Sequence, residues 1–564
     1  MDIRRTVLWM IFSLSLLLLW NNWQVHNGKP SLFGGSTTAT QTADAPQAPA
    51  TAAADTSIPA AAPNASASAP ADETVPAGET SSQAAATQTV DVTTDVYDLT
   101  FDTMGAQLVK ASLLNYTAPG SKDQPMVLLD KSSTSTYLAQ TGVIGAPAGQ
   151  SYPTHLTPFK LVSSETSLTG DSLDVVFEAQ TDNVKVVKTF TLHKGRYDID
   201  VKHDIYNLGT TPITPSLYLQ LVRDGNDPSD KSSFYSTFTG PALYSADDKY
   251  QKLKFSNIDK GKVSYTQQAD NGWIGMVQHY FASAWVPAQG TARSNEVLRL
   301  SDNLYAIRSI ESAGTIQPGQ NTSVAANLWV GPQDQKAMSA LAPGLELVVD
   351  YGWLTIIAKP LFKLMTWIHA VLGNWGWTIV VLTLLIKLVF YPLSAASYRS
   401  MAKMKQVTPR MQALREKFGD DKAKLNAAMM EMYRTEKINP LGGCLPMVVQ
   451  IPVFISLYWV LLGSVEMRGA PWILWIQDLS IRDPWFILPA IMMATMFLQI
   501  KLNPTPPDPT QAKIMMIMPL VFGGMMFFFP AGLVLYWCVN NSVSIAQQRF
   551  IMHKLNQEAA AAKR

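Results

Sequence analysis

Five long apolar segments in the C-terminal part of the chain restrict the possible folds more than any other feature of the sequence. They cover residues 376–396, 444–462, 485–502, 514–529 and 533–550. The hydrocarbon core of a bilayer is about 30 Å thick and is crossed by roughly 20 apolar residues in helical conformation, and helices satisfy their own backbone hydrogen bonds there. The five segments therefore predict a bundle of transmembrane helices.

A sixth apolar segment, residues 7–20, follows the N-terminal sequence MDIRR. It is either a cleaved signal peptide or a retained anchor. We favour an anchor over residues 1–26, because the sequence NNWQVHN that follows has no small residues at a cleavage spacing, and Trp20 and Trp23 are typical of a membrane interface. The basic start of the chain predicts a cytoplasmic N-terminus and export of the next segment.

Two different compositions follow the anchor. Residues 27–90 are rich in Ala, Thr, Ser and Pro, which predicts a flexible linker. Residues 91–341 instead contain short runs of alternating apolar and polar residues, such as VKVVKTFTL, separated by Gly, Asp, Asn and Pro. A period of two with frequent turns predicts a large all-β sandwich domain, which the export of this segment places on the far side of the membrane.

Residues 350–374 predict an amphipathic helix. Lys359, Lys363 and His369 recur at helical spacing against an apolar face, and Pro360 interrupts the helix early. This pattern favours a helix that lies in the membrane interface over one that crosses the membrane.

The distribution of basic residues predicts the orientation of the helices. Residues 397–441 carry ten Lys or Arg and five Asp or Glu, whereas residues 463–483 carry two basic residues, Arg468 and Arg482. Since basic loops stay in the cytoplasm, the first of these loops is predicted to be cytoplasmic. With six spans, both termini are then predicted to be cytoplasmic as well.

The same residues 397–441 predict a helical hairpin. Helical spacing lies on either side of the sequence FGDD, where Gly419 ends the first helix and Asp420 or Asp421 caps the second. The methionines of this hairpin form either an adaptable docking surface or ordinary packing between two helices, and both interpretations stay open. They are Met401, Met404, Met411, Met429, Met430 and Met432.

Lys387 lies inside the first apolar segment and is the strongest indication of a functional site. A charge at the centre of a membrane helix costs about 2.5–3.5 kcal/mol on insertion scales. Thr383 lies four residues before Lys387, and Tyr391 and Ser394 lie four and seven residues after it, so a straight helix would present all four on one face. A second polar stripe, in the last apolar segment, consists of Trp537, Asn540, Ser544 and Gln547.

Lys387, Asn540, Asn541 and Ser544 fall in the cytoplasmic half of the predicted membrane region, as do Gln450 and Gln499. The outer halves carry no matching polar residues, so we predict a half-open, hydrated groove that is closed toward the exterior. For any single Asn, Gln or Thr in these helices, a hydrogen bond to a neighbouring helix is the simpler explanation. Lys387 taken alone is also explained by a long side chain that extends to the cytoplasmic membrane interface. The whole set favours a functional groove.

Residues 514–529 span only about 24 Å as a helix, which would thin the bilayer beside it.

Residues 350–550 resemble the YidC/Oxa/Alb family of membrane protein insertases. The motifs that carry the resemblance occur in order as DYGWL, YPL, SMAKM, FGDD, INPLGGCLP, GSVEMR, ILP and FPAGLVLYW. The linker and β domain resemble those of the Gram-negative branch. The resemblance implies a polytopic α-helical membrane protein of the inner membrane, with six transmembrane helices, a five-helix insertase core at 375–550, a short basic cytoplasmic tail at 551–564 and a large periplasmic all-β supersandwich domain.

The resemblance also implies a function and a set of site residues. Members of this family move hydrophobic segments of nascent membrane proteins from the cytoplasm into the membrane, alone or with the Sec translocon. Lys387 corresponds to the groove cation of the family, where many relatives have arginine. Thr383 and Trp537 correspond to substrate-touching positions, and Gln450 corresponds to the groove-lining amide. We add Asn540 and Ser544 to the substrate-binding groove from their positions in the sequence.

Further partners implied by the resemblance are the ribosome, components of the signal recognition pathway and membrane lipids. The net charge of +1 gives no sign of direct nucleic-acid binding, and the sequence predicts no cofactor and no metal. A proton-coupled membrane transporter is the alternative function, but it predicts inverted repeats and polar residues reachable from both sides, which the sequence lacks. An enzyme would need a nucleophile, a metal cluster or paired acids in the core, and none is predicted there.

Overall fold

The structure, a computed structural model of the chain, describes residues 57–59, 88–118, 121, 123–226, 228, 237–418, 421–436, 445–503 and 509–561. It divides into two compact units, of which one lies within Gly34–Val349 and the other holds Asp350–Arg564. The predicted N-terminal anchor, residues 1–26, and most of the predicted linker lie outside the described residues.

The first unit contains two antiparallel sheets, each with nine strands among the described residues. Sheet 1 consists, in spatial order, of β1 (Thr89–Thr93), β2 (Tyr97–Asp102), β3 (Gln107–Thr117), β4 (Pro125–Lys131), β5 (Thr136–Ile144), β10 (Ser216–Asp224), β17 (Leu304–Ser312), β16 (Arg293–Ser301) and β13 (Gln268–Ala269). Sheet 2 consists of β12 (Lys249–Lys252), β11 (Gly240–Ser245), β14 (Trp273–Val277), β15 (Phe281–Pro287), β18 (Asn321–Pro332), β9 (Asp198–Asn207), β8 (Val184–His193), β7 (Ser172–Thr181) and β6 (Lys160–Leu161). Two short helices, α1 (Phe255–Asp259) and α2 (Gln335–Leu341), accompany the sheets. The predicted all-β sandwich is confirmed.

The core of this unit forms because alternate residues of each strand face the opposite sheet. Strand β8, with the sequence VKVVKTFTLH, alternates between buried and partly exposed residues along its whole length. Large side chains from sheet 2, Trp273, Trp285 and Trp329, are almost completely buried. Each such side chain contributes about 1.5–3 kcal/mol or more through the apolar area that it removes from water.

Lys188 on β8 occupies an inward position that alternation would give to an apolar residue, and it is completely buried. Its Nζ donates hydrogen bonds to the backbone oxygens of Gly105 and Thr141, at 2.7 and 2.8 Å. It also lies 4.5 Å from the centre of the Phe159 ring. Burial lowers the pKa of Lys188 to about 7, because the charged form loses its hydration.

We expect Lys188→Met to remove much of the pH dependence of the stability of this domain. The unfolded chain keeps the lysine proton to about pH 10, whereas the folded domain releases it near pH 7, so the free energy of unfolding of the wild type rises with pH between these values. The slopes of wild type and variant should differ by up to about 1.4 kcal/mol per pH unit. Thermal or urea unfolding of the full chain, followed across roughly pH 8 to 10, measures this difference.

Lys185→Met is the matched control, since Lys185 lies on the same strand with its side chain 34% exposed and paired with Glu178. His203 does not interfere in this pH window, because burial and the neighbouring Lys188 hold its pKa well below the usual value. Parallel stability curves for the wild type and Lys188→Met would contradict the expectation.

The second unit is helical. Its helices among the described residues are α3 (Thr355–Leu372), α4 (Trp375–Val389), α5 (Tyr391–Phe418), α6 (Lys422–Thr435), α7 (Leu445–Gly463), α8 (Ile487–Leu502), α9 (Pro509–Met526) and α10 (Ala531–Ala561). Of these, α3 is long and apolar enough to cross a membrane, and α4 with α5 would be a second if the bent pair is counted as one span. The apolar parts Val449–Gly463, Ile487–Leu502 and Ala512–Met526 are shorter. The predicted count of six spans therefore stays a prediction, as does the interfacial position of α3.

One predicted segment, 376–396, is not a single straight helix. It breaks at Phe390 between α4 and α5, whose axes differ by 65°. Pro392 explains the break, because it has no N–H to donate to the carbonyl of Leu388 and its ring crowds that turn. Tyr391 and Ser394 therefore do not continue the face of Thr383 and Lys387 along one axis.

The predicted hairpin is present as α5 and α6. Asp421 is the N-cap of α6, and its side chain accepts a hydrogen bond from the backbone N–H of Lys424. Val407 and Met411 are buried at the contact between the two helices, and Met404, Met432 and Tyr433 pack against them. The packing interpretation is thus confirmed for these three methionines, whereas Met430 is 65% exposed.

Candidate functional site

Lys387 lies in the last turn of α4, and its side chain is held by residues of two other helices. Its Nζ donates to Ser544 Oγ on α10 at 2.8 Å and to Gln450 Oε1 on α7 at 3.3 Å. The residue is only 6% exposed. Three apolar helices that are far apart in sequence therefore meet at this one ammonium group.

The hydrogen bonds continue beyond Lys387. Gln450 Nε2 donates to Asn540 Oδ1, and the hydroxyl of Ser544 donates to the backbone oxygen of Asn540 at 2.7 Å. Gln547 Nε2 donates to the backbone oxygen of Lys387 at 3.4 Å. We call Lys387, Gln450, Asn540 and Ser544 the polar cluster.

The charge of Lys387 has no carboxylate partner among the residues that the structure describes. An ammonium group has three N–H donors, and those with protein partners here go to a hydroxyl and an amide oxygen. Neutral oxygens compensate the lost hydration of a buried charge only in part, so such a charge favours an anionic or strongly polar partner. The polar cluster can therefore act as a binding point for an acidic or polar group.

Thr383 and Trp537, the other two predicted site residues, lie outside the polar cluster. Thr383 is 1% exposed, and its hydroxyl donates to the backbone oxygen of Ile379 in its own helix at 2.7 Å. The ring of Trp537 lies against Phe454 and Phe522, with centroid distances of 4.7 and 5.3 Å. The structure thus separates the polar stripe of the last helix into an aromatic part and a hydrogen-bonded part.

The predicted half-open groove is filled by protein around the polar cluster. Lys387, Asn540 and Ser544 are all at most 6% exposed, because their mutual hydrogen bonds hold α4, α7 and α10 together. The opposite face of α4 differs sharply, with Leu388 and Val389 69% and 72% exposed. On α9 the exposed apolar residues are Met516, Ile517, Met518, Leu520, Val521 and Met525. Continuous exposed apolar surface of this kind suits hydrocarbon rather than water.

Tyr398 is a member of the site that the sequence analysis did not identify. Its hydroxyl donates to the backbone oxygen of Ser544 at 3.3 Å, which joins α5 to the polar cluster. Its spacing of eleven residues from Lys387 was no signal in the sequence, because the break at Phe390 lies between the two residues. Within the described residues, no group of His, Cys, Asp and Glu side chains is arranged to hold a metal.

Helices with exposed apolar faces are typical of a membrane protein, and the buried Lys387 that they hold has no carboxylate partner among the described residues. The all-β sandwich is a separate, large domain of the same chain. Residues 89–364 match the family model described as YidC periplasmic domain, and residues 367–558 match that described as 60Kd inner membrane protein. The membrane protein insertase YidC of Bordetella parapertussis is 71% identical over 565 residues, covering 100% of both chains. That of Paraburkholderia phymatum is 53% identical, again covering 100% of both. The chain belongs to the YidC family of membrane protein insertases.

A crystal structure described as an active YidC insertase with the first transmembrane domain resolved is also similar, with a TM-score of 0.37 and 18% identity, covering 81% of this chain and 91% of that chain. Family membership makes the chain a membrane protein insertase of the inner membrane, with the β sandwich as its periplasmic domain. It is not a catalytic enzyme.

We expect Gln450→Leu to destabilise the helical unit by about 1–3 kcal/mol, because Asn540 and Lys387 both lose a partner while remaining buried. Unfolding of the purified protein in mixed micelles with increasing denaturing detergent measures the change. The control is Gln499→Leu, since Gln499 makes no side-chain hydrogen bond in the described part of the chain and should change stability by less than about 0.5 kcal/mol. Equal effects of the two substitutions would show that the polar cluster contributes no stability of its own.

Proposed function

We propose that the polar cluster receives the polar, exported end of a nascent membrane protein from the cytoplasm while the adjacent apolar segment moves into lipid. The observation that carries this proposal is the buried ammonium of Lys387, which has neutral partners and no described carboxylate. A segment being inserted has to carry polar groups across hydrocarbon, where a charge is costly. A fixed cation at the entry to that path lowers the cost for an acidic group.

Substrate entry in this mechanism is an exchange of hydrogen-bond partners. An arriving carboxylate replaces Ser544 and Gln450 at the Lys387 ammonium, because it adds the attraction between two opposite charges, which neutral oxygens do not offer. The released Gln450 still bonds to Asn540, the released Ser544 still donates to the backbone oxygen of Asn540, and water enters with the substrate. The cluster then forms the hydrated, cytoplasm-open groove in its substrate-bound state. No covalent step is required.

The apolar part of the substrate leaves along the outer surface of the same helices. Leu384, Leu385, Leu388 and Val389 are exposed on α4, on the helix surface beside the buried Thr383 and Lys387. Trp537, Phe454 and Phe522 offer an aromatic surface beside the polar cluster. Thr383 and Trp537 are the positions at which we expect contact with the apolar segment. A segment that slides between these surfaces passes from polar contacts to lipid without crossing an aqueous pore.

The same proposal includes the topology and the partners of the protein. Six spans, counting the N-terminal anchor, place both termini and the hairpin of α5 and α6 in the cytoplasm, which agrees with the excess of basic residues there. Arg410 and Lys424 on the hairpin have side chains that are 70% and 73% exposed, available to a nascent chain, the ribosome or lipid headgroups. The Sec translocon and components of the signal recognition pathway are proposed partners through the family resemblance.

The charge of Lys387 gives a direct test. We expect Lys387→Arg to keep insertion near normal, since the charge stays, and Lys387→Glu to lose most of it, since an anion repels an acidic exported tail. Lys387→Ala should impair substrates with short acidic tails about tenfold more than matched substrates with neutral tails, which corresponds to about 1.4 kcal/mol of lost attraction. Insertion is measured for paired substrates that differ only in tail charge, at equal amounts of the insertase.

Equal handling of the two tails by Lys387→Ala would reject the guiding role of the charge. Ser544→Ala is the matched control, because it removes one partner of the ammonium and leaves the charge in place. It should not change the preference between acidic and neutral tails.

We also expect deletion of residues 403–437 to abolish insertion while the apolar helices stay in the membrane. The deleted part carries most of the charged residues of the hairpin, and the small core around Met411 lies within the deletion, so no partly folded remnant is left. Insertion assays on membranes with equal levels of the variant test this. Arg410→Ala, which breaks only the surface pair with Glu436, should retain activity, and a fully active deletion would show that substrates enter without the hairpin.

A further inference from the structure

A short piece of the predicted linker, Ser57–Pro59, lies against sheet 1 of the β domain. The side chain of Ile58 is partly buried and packs against a cluster formed by Ile144, Tyr218 and Ile310. Pro59 is buried. The segment therefore makes specific contacts with the domain that follows it in the chain.

These contacts lie on the face of sheet 1 that is turned away from sheet 2. On β5, Thr141 points toward sheet 2, where its hydroxyl and the Nε2 of His203 are 2.8 Å apart. Its neighbour Gln140 points the other way, and Gln140 lies directly opposite Gln220 of β10 in the sheet. Tyr218, two residues before Gln220, lies on the same outer face.

The outer face carries an unusual row of polar side chains. Gln107, Gln140, Gln220, Arg308 and Glu296 lie side by side on β3, β5, β10, β17 and β16. Each is hydrogen-bonded to the next, through Gln140 to Gln107 at 2.7 Å, Gln220 to Gln140 at 2.9 Å, Arg308 to Gln220 at 3.5 Å and Arg308 to Glu296 at 2.7 Å.

The row also donates to the linker segment. Gln220 Nε2 lies 3.4 Å from the backbone oxygen of Ser57. Gln220 is completely buried although it faces away from sheet 2. An amide donor beside an apolar cluster offers the two contacts that an extended peptide needs, one for a backbone carbonyl and one for an apolar side chain.

The sequence of the linker independently singles out Ile58. Between residues 34 and 74, Ile58 is the only Val, Ile, Leu, Met, Phe, Tyr or Trp residue. The one side chain in this stretch that is able to fill an apolar pocket is thus the one that occupies it.

We infer that the outer face of sheet 1 is a peptide-docking groove and that its occupant is the protein's own segment Ser57–Pro59. Ile58 enters the apolar cluster, and the amide row binds the backbone beside it. Docking divides the chain between the predicted anchor and the β domain. Only residues 27–56, instead of the full linker, then connect the predicted anchor to the docked segment. Docking therefore shortens the distance that the β domain can move from the anchor.

Alkylation of engineered thiols in the full-length protein tests this inference. Ile58→Cys and Val75→Cys are compared, because Val75 is another aliphatic residue of the linker. The alkylation rate of each variant with a membrane-impermeant maleimide is first corrected by subtracting the alkylation of the parent protein. The corrected rate is then divided by the rate of the same variant in denaturant. We expect Ile58→Cys to react about tenfold more slowly, which corresponds to about 1.4 kcal/mol of docking free energy. Equal normalised rates would overturn the inference.

A second variant tests whether the groove is the source of the protection. In the Ile58→Cys protein, Ile144→Ala widens the apolar cluster and should raise the alkylation rate severalfold, with the β-sheet signal in circular dichroism unchanged. If Ile144→Ala unfolds the domain, Ile310→Val makes a smaller change in the same cluster. An unchanged rate in a folded groove variant would show that residue 58 is protected elsewhere, and it would overturn the inference. Neither outcome depends on insertion activity.

Discussion

The helical unit depends on one interaction, the pair of hydrogen bonds from the buried ammonium of Lys387 to Ser544 and Gln450. A charge in this position is costly, so the helices that carry its partners are held close to it. Asn540 is fixed through Gln450, and α5 is joined to the cluster by Tyr398. The proposed function follows from the weakness of this arrangement, because neutral oxygens stabilise the ammonium less well than the acidic group of a substrate would.

The β domain contains another buried lysine, Lys188. Its hydrogen-bond partners differ from those of Lys387, and this difference explains why only Lys387 suits substrate binding. Lys188 donates to the backbone oxygens of Gly105 and Thr141, which the sheet holds in place. The partners of Lys387 are side chains that can rotate away. A lysine bound by fixed carbonyls is part of the framework, whereas one bound by rotatable groups can accept a new partner. The same residue type thus has different consequences in the two units.

Much of the architecture was predictable, since period-two alternation identifies the sandwich. The spacing of polar residues in apolar segments selects Lys387, Asn540 and Ser544, and the family resemblance adds Gln450. The structure joins these four residues by hydrogen bonds. The separation of Trp537 was not predictable, because helical spacing does not say which neighbouring helix supplies aromatic rings. The burial of Lys188 was not predictable either. Alternation shows which side of the strand a residue faces, but not which polar partners it meets there. The apolar segment 376–396 predicts one continuous helix, but Pro392 breaks it into α4 and α5.

The break at Phe390 has an electrostatic consequence for Lys387. In a straight helix this residue would lie in the interior, where the peptide dipoles on either side nearly cancel. Because α4 ends at Val389, Lys387 lies in its last turn, next to the negative end of the helix dipole. One of the carbonyls of that turn, its own, is capped by Gln547 of α10. Fifteen aligned peptide units thus supply part of the negative potential that no carboxylate among the described residues provides, and they do so without a charge that a substrate would have to displace.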